Sequence, residues 1–293
     1  VATAGRTLAP AKVNLFLHVG PPQADGYHSL CSLMAFADTG DELRLEPAAA
    51  FELAIKGPFG KGLAADPSNL VWRAAEALAR EAGVGLPPVR LILDKRLPVA
   101  SGLGGGSSDA GAALRLVRAS LDQSVDDARL EALAAGLGAD GAPCLWGRPT
   151  LAQGRGERLS AVPELPPLWA VLANCGVSVS TPAVYRALDQ AAVFGAVEPP
   201  TLPTWASAAD LAAWLGAQRN DLERPSLTLA GEIGPVLAAL SGPEALLTRL
   251  SGSGGTCFAL CGTAQAAASL AARVLEDHPD WWVRDCRLGG PWT

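Results

Sequence analysis

Between Gly102 and Ser108 the chain reads GLGGGSS, four glycines and two serines in seven positions, and it runs straight into the apolar repeat of DAGAALRLV. A glycine-rich turn at the start of a helix exposes bare backbone N–H groups beside the positive end of the helix dipole, a combination that holds phosphate. Ser107 and Ser108 add hydroxyls able to donate to phosphate or to ligate Mg2+, and Asp109 would cap the helix or meet a cation. Two familiar nucleotide loops do not fit. No lysine lies between Gly102 and Arg115, as a Walker A loop requires, and the early βαβ unit closed by an acidic residue that accompanies a dinucleotide fingerprint is lacking. Tyr27 and His28 also draw notice in a chain with two tyrosines and three histidines. An aromatic ring and an imidazole in one exposed turn after a strand ordinarily pack on its flank.

These groups need elements to carry them. AKVNLFLHV alternates, with Val13, Leu15, Leu17 and Val19 on one side and Lys12, Asn14, Phe16 and His18 on the other, which predicts a strand with a polar edge. His18 reads as ordinary packing. DELRLEP, FELAIKG and VRLILDKRL predict further strands, and SNLVWRAAEALAREAG a helix capped by Ser68 and stopped at Gly83. Helices are expected over about 107–121, from Ala110, Leu114, Val117 and Leu121, and over 126–136. Strand and turn patterns near GRPTLAQGRGERLSAV mark a boundary between two domains, 1–153 and 154–293. The second half predicts a strand in PLWAVLANCGVSVS, then a helix opening at STPAVYRALDQ with Pro182 in its first turn. Helices near 207–217, 226–240 and 264–276, with strands near 246–250, 256–261 and in WWVRDCRL, complete a two-domain α+β or α/β chain.

With 293 residues, 49% of them apolar, the chain can enclose a cleft between two cores. A net charge of −6 with scattered lysines and arginines leaves no electrostatic footprint for nucleic acid, so a small anionic ligand met by a local site is expected. Six cysteines far apart, with only Cys257 and Cys261 close, predict free thiols and no structural metal. No apolar run suggests a membrane span or a leader, and the expectation is a cytoplasmic protein.

The spacing in LPVASGLGGGSSDAG resembles the second motif of the GHMP kinase superfamily, and the likeness extends along the chain. PAKVNLFLHV, DGYHSL, LGAD, RNDLE and LSGSGGTCFAL are similar to one branch of it, whose members phosphorylate the 2-hydroxyl of a cytidine-diphosphate-linked methylerythritol on the non-mevalonate route to isoprenoids. The resemblance implies a ribosomal S5 domain 2-like N-terminal domain, a ferredoxin-like C-terminal domain, and ligands between them. It implies Asp140 as the base that takes the hydroxyl proton and Lys12 as the lysine that keeps it ionised. It implies ATP, with Mg2+, along Gly102, Gly104, Gly105, Gly106, Ser107 and Ser108, and Asn69 and Lys95 near the adenine. Tyr27 and Tyr185 would sandwich a cytosine whose edge His28 reads, Thr181 and Asn14 would line the acceptor pocket, and Ser251, Gly252, Ser253 and Gly254 would close from the second domain. Acceptors such as homoserine or mevalonate, or a nucleotide-binding member without catalysis, are the alternatives. The chain departs from the family after Asp140, where Gly141-Ala142-Pro143 stands for one residue and a proline, and this predicts a less firmly held base. Gly255 replaces the common proline or alanine.

Overall fold

The computed structural model describes residues 4–121 and 124–292. Two long strands, β1 (Gly5–Pro22) and β2 (His28–Pro47), pair antiparallel and are joined by the DGYH turn. In that turn Asp25 Oδ1 accepts the Tyr27 N–H at 3.1 Å and Gly26 takes φ +80, a conformation glycine adopts without a Cβ clash. The polar edge expected on β1 is instead buried, because every residue from Ala9 to Val19 is covered. The reason is that β1 feeds three apolar clusters in succession, one with Ala9, one with Ala11, Val13, Leu15 and Phe16, and one with Leu17 and Val19. Both faces of the strand are therefore interior.

β3 (Glu52–Lys56) runs parallel to β4 (Val89–Asp94), which pairs with β2, and α1 (Leu70–Glu81) lies between them in sequence. The cap of α1 is Asn69 rather than Ser68: Asn69 Oδ1 accepts the Val71 N–H at 2.9 Å, while Ser68 bonds Asp66. α2 (Gly105–Ser120) starts two residues before the expected position, and α3 (Asp127–Leu137) is capped by Asp126. A helix that the sequence did not predict, α4 (Gly141–Trp146), follows. β5 (Thr150–Gly154) and β6 (Arg158–Ser160) form a hairpin on β2, so the boundary placed at 153/154 falls inside that hairpin.

The second half comprises β7 (Leu168–Asn174), α5 (Thr181–Ala191), α6 (Ala208–Gly216), α7 (Glu223–Leu229), α8 (Ile233–Leu240), β8 (Ala245–Leu250), β9 (Thr256–Cys261), α9 (Ala264–Asp277) and β10 (Trp282–Gly289). The single helix expected over 226–240 is two, since Ala230 leaves the helical region and Gly231 follows. One sheet spans both halves in the order β3-β4-β2-β10-β7-β9-β8, and β10 is the joint, pairing along β7 and at Leu288 and Gly289 with β2. Mixed strands and helices in this arrangement make an α+β architecture, one of the two classes that the pattern left open and the one that the resemblance implied.

All six cysteines are free, and burial in β9 pushes the Cys261 thiol up to about 11. Among the described residues no helix is long and apolar enough to cross a membrane.

Candidate active site

A register shift between Pro10 and Lys12 breaks the β1–β2 ladder and frees the Lys12 N–H, which donates to Leu103 O at 2.8 Å. The strand is thereby tied to the glycine loop. The Lys12 ammonium, buried, donates to Asn14 Oδ1 at 2.7 Å and stands 3.2 Å from Asp140 Oδ2. Asn14 is itself oriented, its Nδ2 donating to Ser32 Oγ at 2.8 Å, and Ser32 donating to Phe16 O at 2.6 Å. This leaves the amide oxygen no alternative but to face the lysine.

Asp140 occupies the cap position of α4, yet its side chain makes no capping hydrogen bond, so the carboxylate faces Lys12 and the cleft with a third of its surface exposed. The loosening expected from Gly141-Ala142-Pro143 is not what the structure shows. These residues are the buried first turn of α4, where proline is tolerated, and Gly141 lets α4 approach α3 closely: a Cβ there would stand 1.8 Å from Ala134 O. Cys144 N–H bonds Asp140 O at 3.1 Å, closing the turn on Asp140 itself.

The phosphate-loop expectation meets a left-handed Gly104, φ +63, as the cap of α2. Gly105, Gly106 and Ser107 precede the first intrahelical bond, Ser108 N–H to Gly104 O at 2.9 Å, and their N–H groups are the ones such a helix start offers to an anion. Ser107 lines the cleft; Ser108 does not, because its buried hydroxyl donates to Pro10 O at 2.7 Å. Asn69 and Lys95 line the cleft with their polar groups already committed. Asn69 caps α1 and donates to Ala64 O at 2.8 Å, and the Lys95 ammonium is held by Asp41 at 2.5 Å and Asp109 at 2.6 Å. Asp109 therefore meets a cation, as one of its two readings proposed. Burial opposes the charge on Lys95, but the two carboxylates outweigh it and raise its pKa, whereas burial pushes the Asp109 carboxyl well up. Asp109 Oδ1 is buried without a hydrogen-bond partner.

The glycine-rich turn of the second half closes onto the first. Ser251 Oγ donates to Gly102 O at 3.1 Å, the Asn14 N–H reaches Ser251 Oγ at 3.3 Å, and Thr256 N–H bonds Ser101 O at 2.9 Å. Behind it the RNDLE segment acts as a clamp, Asn220 Nδ2 donating to the carbonyls of Leu250 and Gly252 at 2.9 and 2.8 Å and Glu223 accepting the Leu250 N–H. Gly252 and Ser253 line the cleft, and Ser253 shares a 2.7 Å hydrogen bond with Thr181; Ser251 and Gly254 stand behind them.

At the far end lies an aromatic recess. Tyr185 packs on His28 with ring centroids 5.0 Å apart and Phe194 flanks the imidazole at 6.2 Å. Burial, with the charge of Asp140 adding to it, pushes the Tyr185 phenol up to about 12. The expected sandwich is arranged differently here: Tyr27 is exposed at the rim, and Arg155, ion-paired with Asp25, covers its ring at 4.2 Å. Arg155, Phe194 and Asp189 were not singled out from the sequence. For Asp189 a signal existed, since Thr181, Tyr185 and Asp189 fall at steps of four along one helix face.

The cleft that joins these groups measures about 980 Å3. A larger hollow of about 1150 Å3 behind α4, walled by Trp146, Trp292 and the prolines of 163–167, holds none of the expected site residues. A lysine–carboxylate pair between a glycine-rich helix start and an aromatic recess fits the cleft of a small-molecule kinase. Consistent with that class, residues 69–148 match the GHMP kinases N terminal domain and residues 202–280 the GHMP kinases C terminal domain. The 4-diphosphocytidyl-2-C-methyl-D-erythritol kinase of Caulobacter sp. (strain K31) is 57% identical over 97% of this chain and 98% of its own, and that of Xanthobacter autotrophicus 50% identical over 97% and 98%. A crystal structure of 4-(cytidine 5'-diphospho)-2C-methyl-D-erythritol kinase superposes with TM-score 0.80 at 37% identity, covering 98% of this chain and all of that one. The chain belongs to the GHMP kinases, and within them to the family of 4-diphosphocytidyl-2-C-methyl-D-erythritol kinases. It is a phosphotransferase with the two-domain fold of that family.

Proposed function

We propose that this kinase transfers the γ-phosphoryl group of ATP to the 2-hydroxyl of 4-diphosphocytidyl-2-C-methyl-D-erythritol, yielding the 2-phosphate and ADP on the non-mevalonate route to isoprenoid precursors. The observation that carries the reading is the Lys12–Asp140 pair, 3.2 Å apart, standing in one cleft between the glycine loop and the recess of His28 and Tyr185. The relatives' names supply the acceptor, and the recess suits it, because a flat base needs ring walls and polar edge partners.

Phosphoryl transfer asks chiefly for positioning and for charge around the transferring group. Asp140 takes the proton of the acceptor hydroxyl as it attacks. Lys12 stands beside Asp140 and orients the same hydroxyl, and Asn14 fixes the lysine's direction. The N–H groups of Gly105, Gly106 and Ser107 hold phosphate oxygens, with Gly102 and Gly104 shaping the loop and Gly252 and Ser253 facing the acceptor. Thr181 and Tyr185 line the acceptor's path, and Tyr27 offers its ring at the rim. Asn69 and Lys95 act beside the nucleotide by holding α1 and the loop in place. Mg2+ is expected with the ATP, and the Ser107 hydroxyl lines the cleft where it would help to hold the ion, whereas the Asp109 carboxylate is already engaged by Lys95. When bound, the ion neutralises charge on the β- and γ-phosphates. We place the reaction in the cytoplasm, where free thiols such as Cys144 persist.

The test is ADP release from Mg-ATP with the diphosphocytidyl acceptor, homoserine, mevalonate or no acceptor. Turnover with the first alone supports the reading. Turnover with another alcohol transfers it to that acceptor, and none at all in protein that binds ATP removes the catalytic reading.

A further inference from the structure

Along β1 the register with β2 slips between Asn14, opposite Met34, and Phe16, opposite Leu33, so Leu15 is an extra residue with no partner on β2. This is a β-bulge, and Leu15 and Phe16, neighbours in sequence, both enter the same apolar cluster, which strict alternation forbids. The second half of the chain takes hold of the backbone at this point. Arg249 Nη1 donates to the Leu15 carbonyl at 2.8 Å, and the Asn14 N–H donates to Ser251 Oγ at 3.3 Å. One segment, the end of β8 and the residue beyond it, thus grips two consecutive residues of β1. Arg249 is an unusual group to find there. It is 8% exposed, yet among the described residues its three hydrogen bonds all go to backbone carbonyls, those of Leu15, Leu215 and Gln218, and none to a carboxylate. Burial pulls its pKa down, and the charge of Glu223 offsets that only in part. A charge kept in so costly a place must have its donors met. The planar guanidinium does this by spanning Leu215 O and Gln218 O, both at 2.9 Å, at the negative end of α6, while its other nitrogen reaches the bulge.

We propose that Arg249 is a positioning residue for phosphoryl transfer, one that holds the Leu15 bulge from the second half and through it aims Asn14 at Lys12. The proposal rests on the reading under Proposed function and deepens it. Asn14 lies immediately before the bulge, and its Oδ1 accepts the Lys12 ammonium at 2.7 Å, with Lys12 standing 3.2 Å from Asp140. A bulge decides which way the neighbouring side chains point, so whatever fixes the bulge fixes that asparagine. Arg249 touches neither the lysine nor the carboxylate, and its effect on the reaction passes through the backbone. Lysine in its place keeps the charge but is a point donor that cannot span three carbonyls.

The experiment measures kcat, the KM for ATP and Tm in the wild type, Arg249→Lys, Arg249→Met and Ser207→Ala. The last removes the N-terminal cap of α6, where Ser207 Oγ accepts the Asp210 N–H at 3.1 Å, and so loosens the same helix without touching β1. Arg249→Lys should lose about 10-fold in kcat and Arg249→Met about 10²-fold, the cost of a small misplacement of the reacting groups, with the KM for ATP retained. Ser207→Ala should lower Tm and leave kcat as it is. Arg249→Lys combined with Asn14→Ala should be no slower than Asn14→Ala alone, because the arginine acts through that asparagine. This comparison, and Arg249→Lys itself, keep the test open if Arg249→Met does not fold. A wild-type kcat in folded Arg249→Lys, a loss that Ser207→Ala reproduces, or losses that multiply in the double variant would each overturn the proposal. Wild-type kcat in both Lys12→Met and Asp140→Asn overturns the reading under Proposed function instead, whatever the arginine variants do.

Discussion

Gly141 and Ala134 approach so closely that a Cβ on the glycine would lie 1.8 Å from the alanine carbonyl oxygen, and this contact sets the position of Asp140 next to it. Gly141→Ala forces α4 away from α3. Overpacking of this kind costs about 1–3 kcal/mol, which lowers Tm by several degrees in a chain this long, and kcat should fall with it because Asp140 moves. A variant with wild-type Tm and kcat, measured by calorimetry and ADP release, would show that the helices can separate freely.

Asp140→Asn keeps the shape of the base and removes its proton affinity. Turnover should drop about 10²- to 10⁴-fold with ATP affinity nearly unchanged. Lys12→Met should show a drop of comparable order, and the double variant should be little worse than either single one, since the two act as a unit. Additive losses in single-turnover assays would mean that they work separately.

Gly102 adopts φ +81, and a Cβ there would meet Ser251 O at 2.5 Å. Gly102→Ala should therefore part the glycine loop from the turn of the second half and raise KM for ATP and for the acceptor together. A rise in one KM alone would indicate that the two loops are not coupled through this contact.

His18 is buried, and that burial, with the charge of Arg219 adding to it, lowers its pKa to about 4. Its ordinary value is 6.5, so between pH 6.5 and about 4 the unfolded chain binds a proton that the folded one refuses. The stabilisation is complete above pH 6.5 and is lost as pH falls through that window. Thermal melts across the range should show a steeper decline for the wild type than for His18→Gln; parallel curves would remove His18 as the cause.

How much could be read in advance differed by the kind of signal. The glycine loop at the start of α2 and the end of α1 were legible because Gly104 and Gly83 act over a few neighbouring residues, whereas the cap of α1 lay one residue beyond the serine expected to supply it. The burial of Lys12 and Asn14 was not, since alternation along β1 gives the two faces without telling what covers them. α4 was hidden for a similar reason: a glycine and a proline in GAPCLW look like a loop until the packing surface of α3 is known. In the site, Lys12 and Asp140 belong to motifs 128 residues apart and only the resemblance joined them. Arg155 sits in a hairpin turn whose sequence says nothing of the Tyr27 ring it covers. The Lys95 ion pairs depend on Asp41, from a strand whose partners no local pattern reveals.

The joining strand β10 also carries a message about time. It follows every other strand in chain order, yet it inserts between β2 and β7 and so unites the half that bears the glycine loop with the half that bears α5. As the ribosome delivers the chain from its N-terminus, each half can begin to collapse, but the sheet between them stays incomplete until residues 282–289 emerge. Enzymatic competence should consequently appear in a single late step of synthesis, and nascent chains ending before Trp282 should hold two partly built lobes and no working cleft.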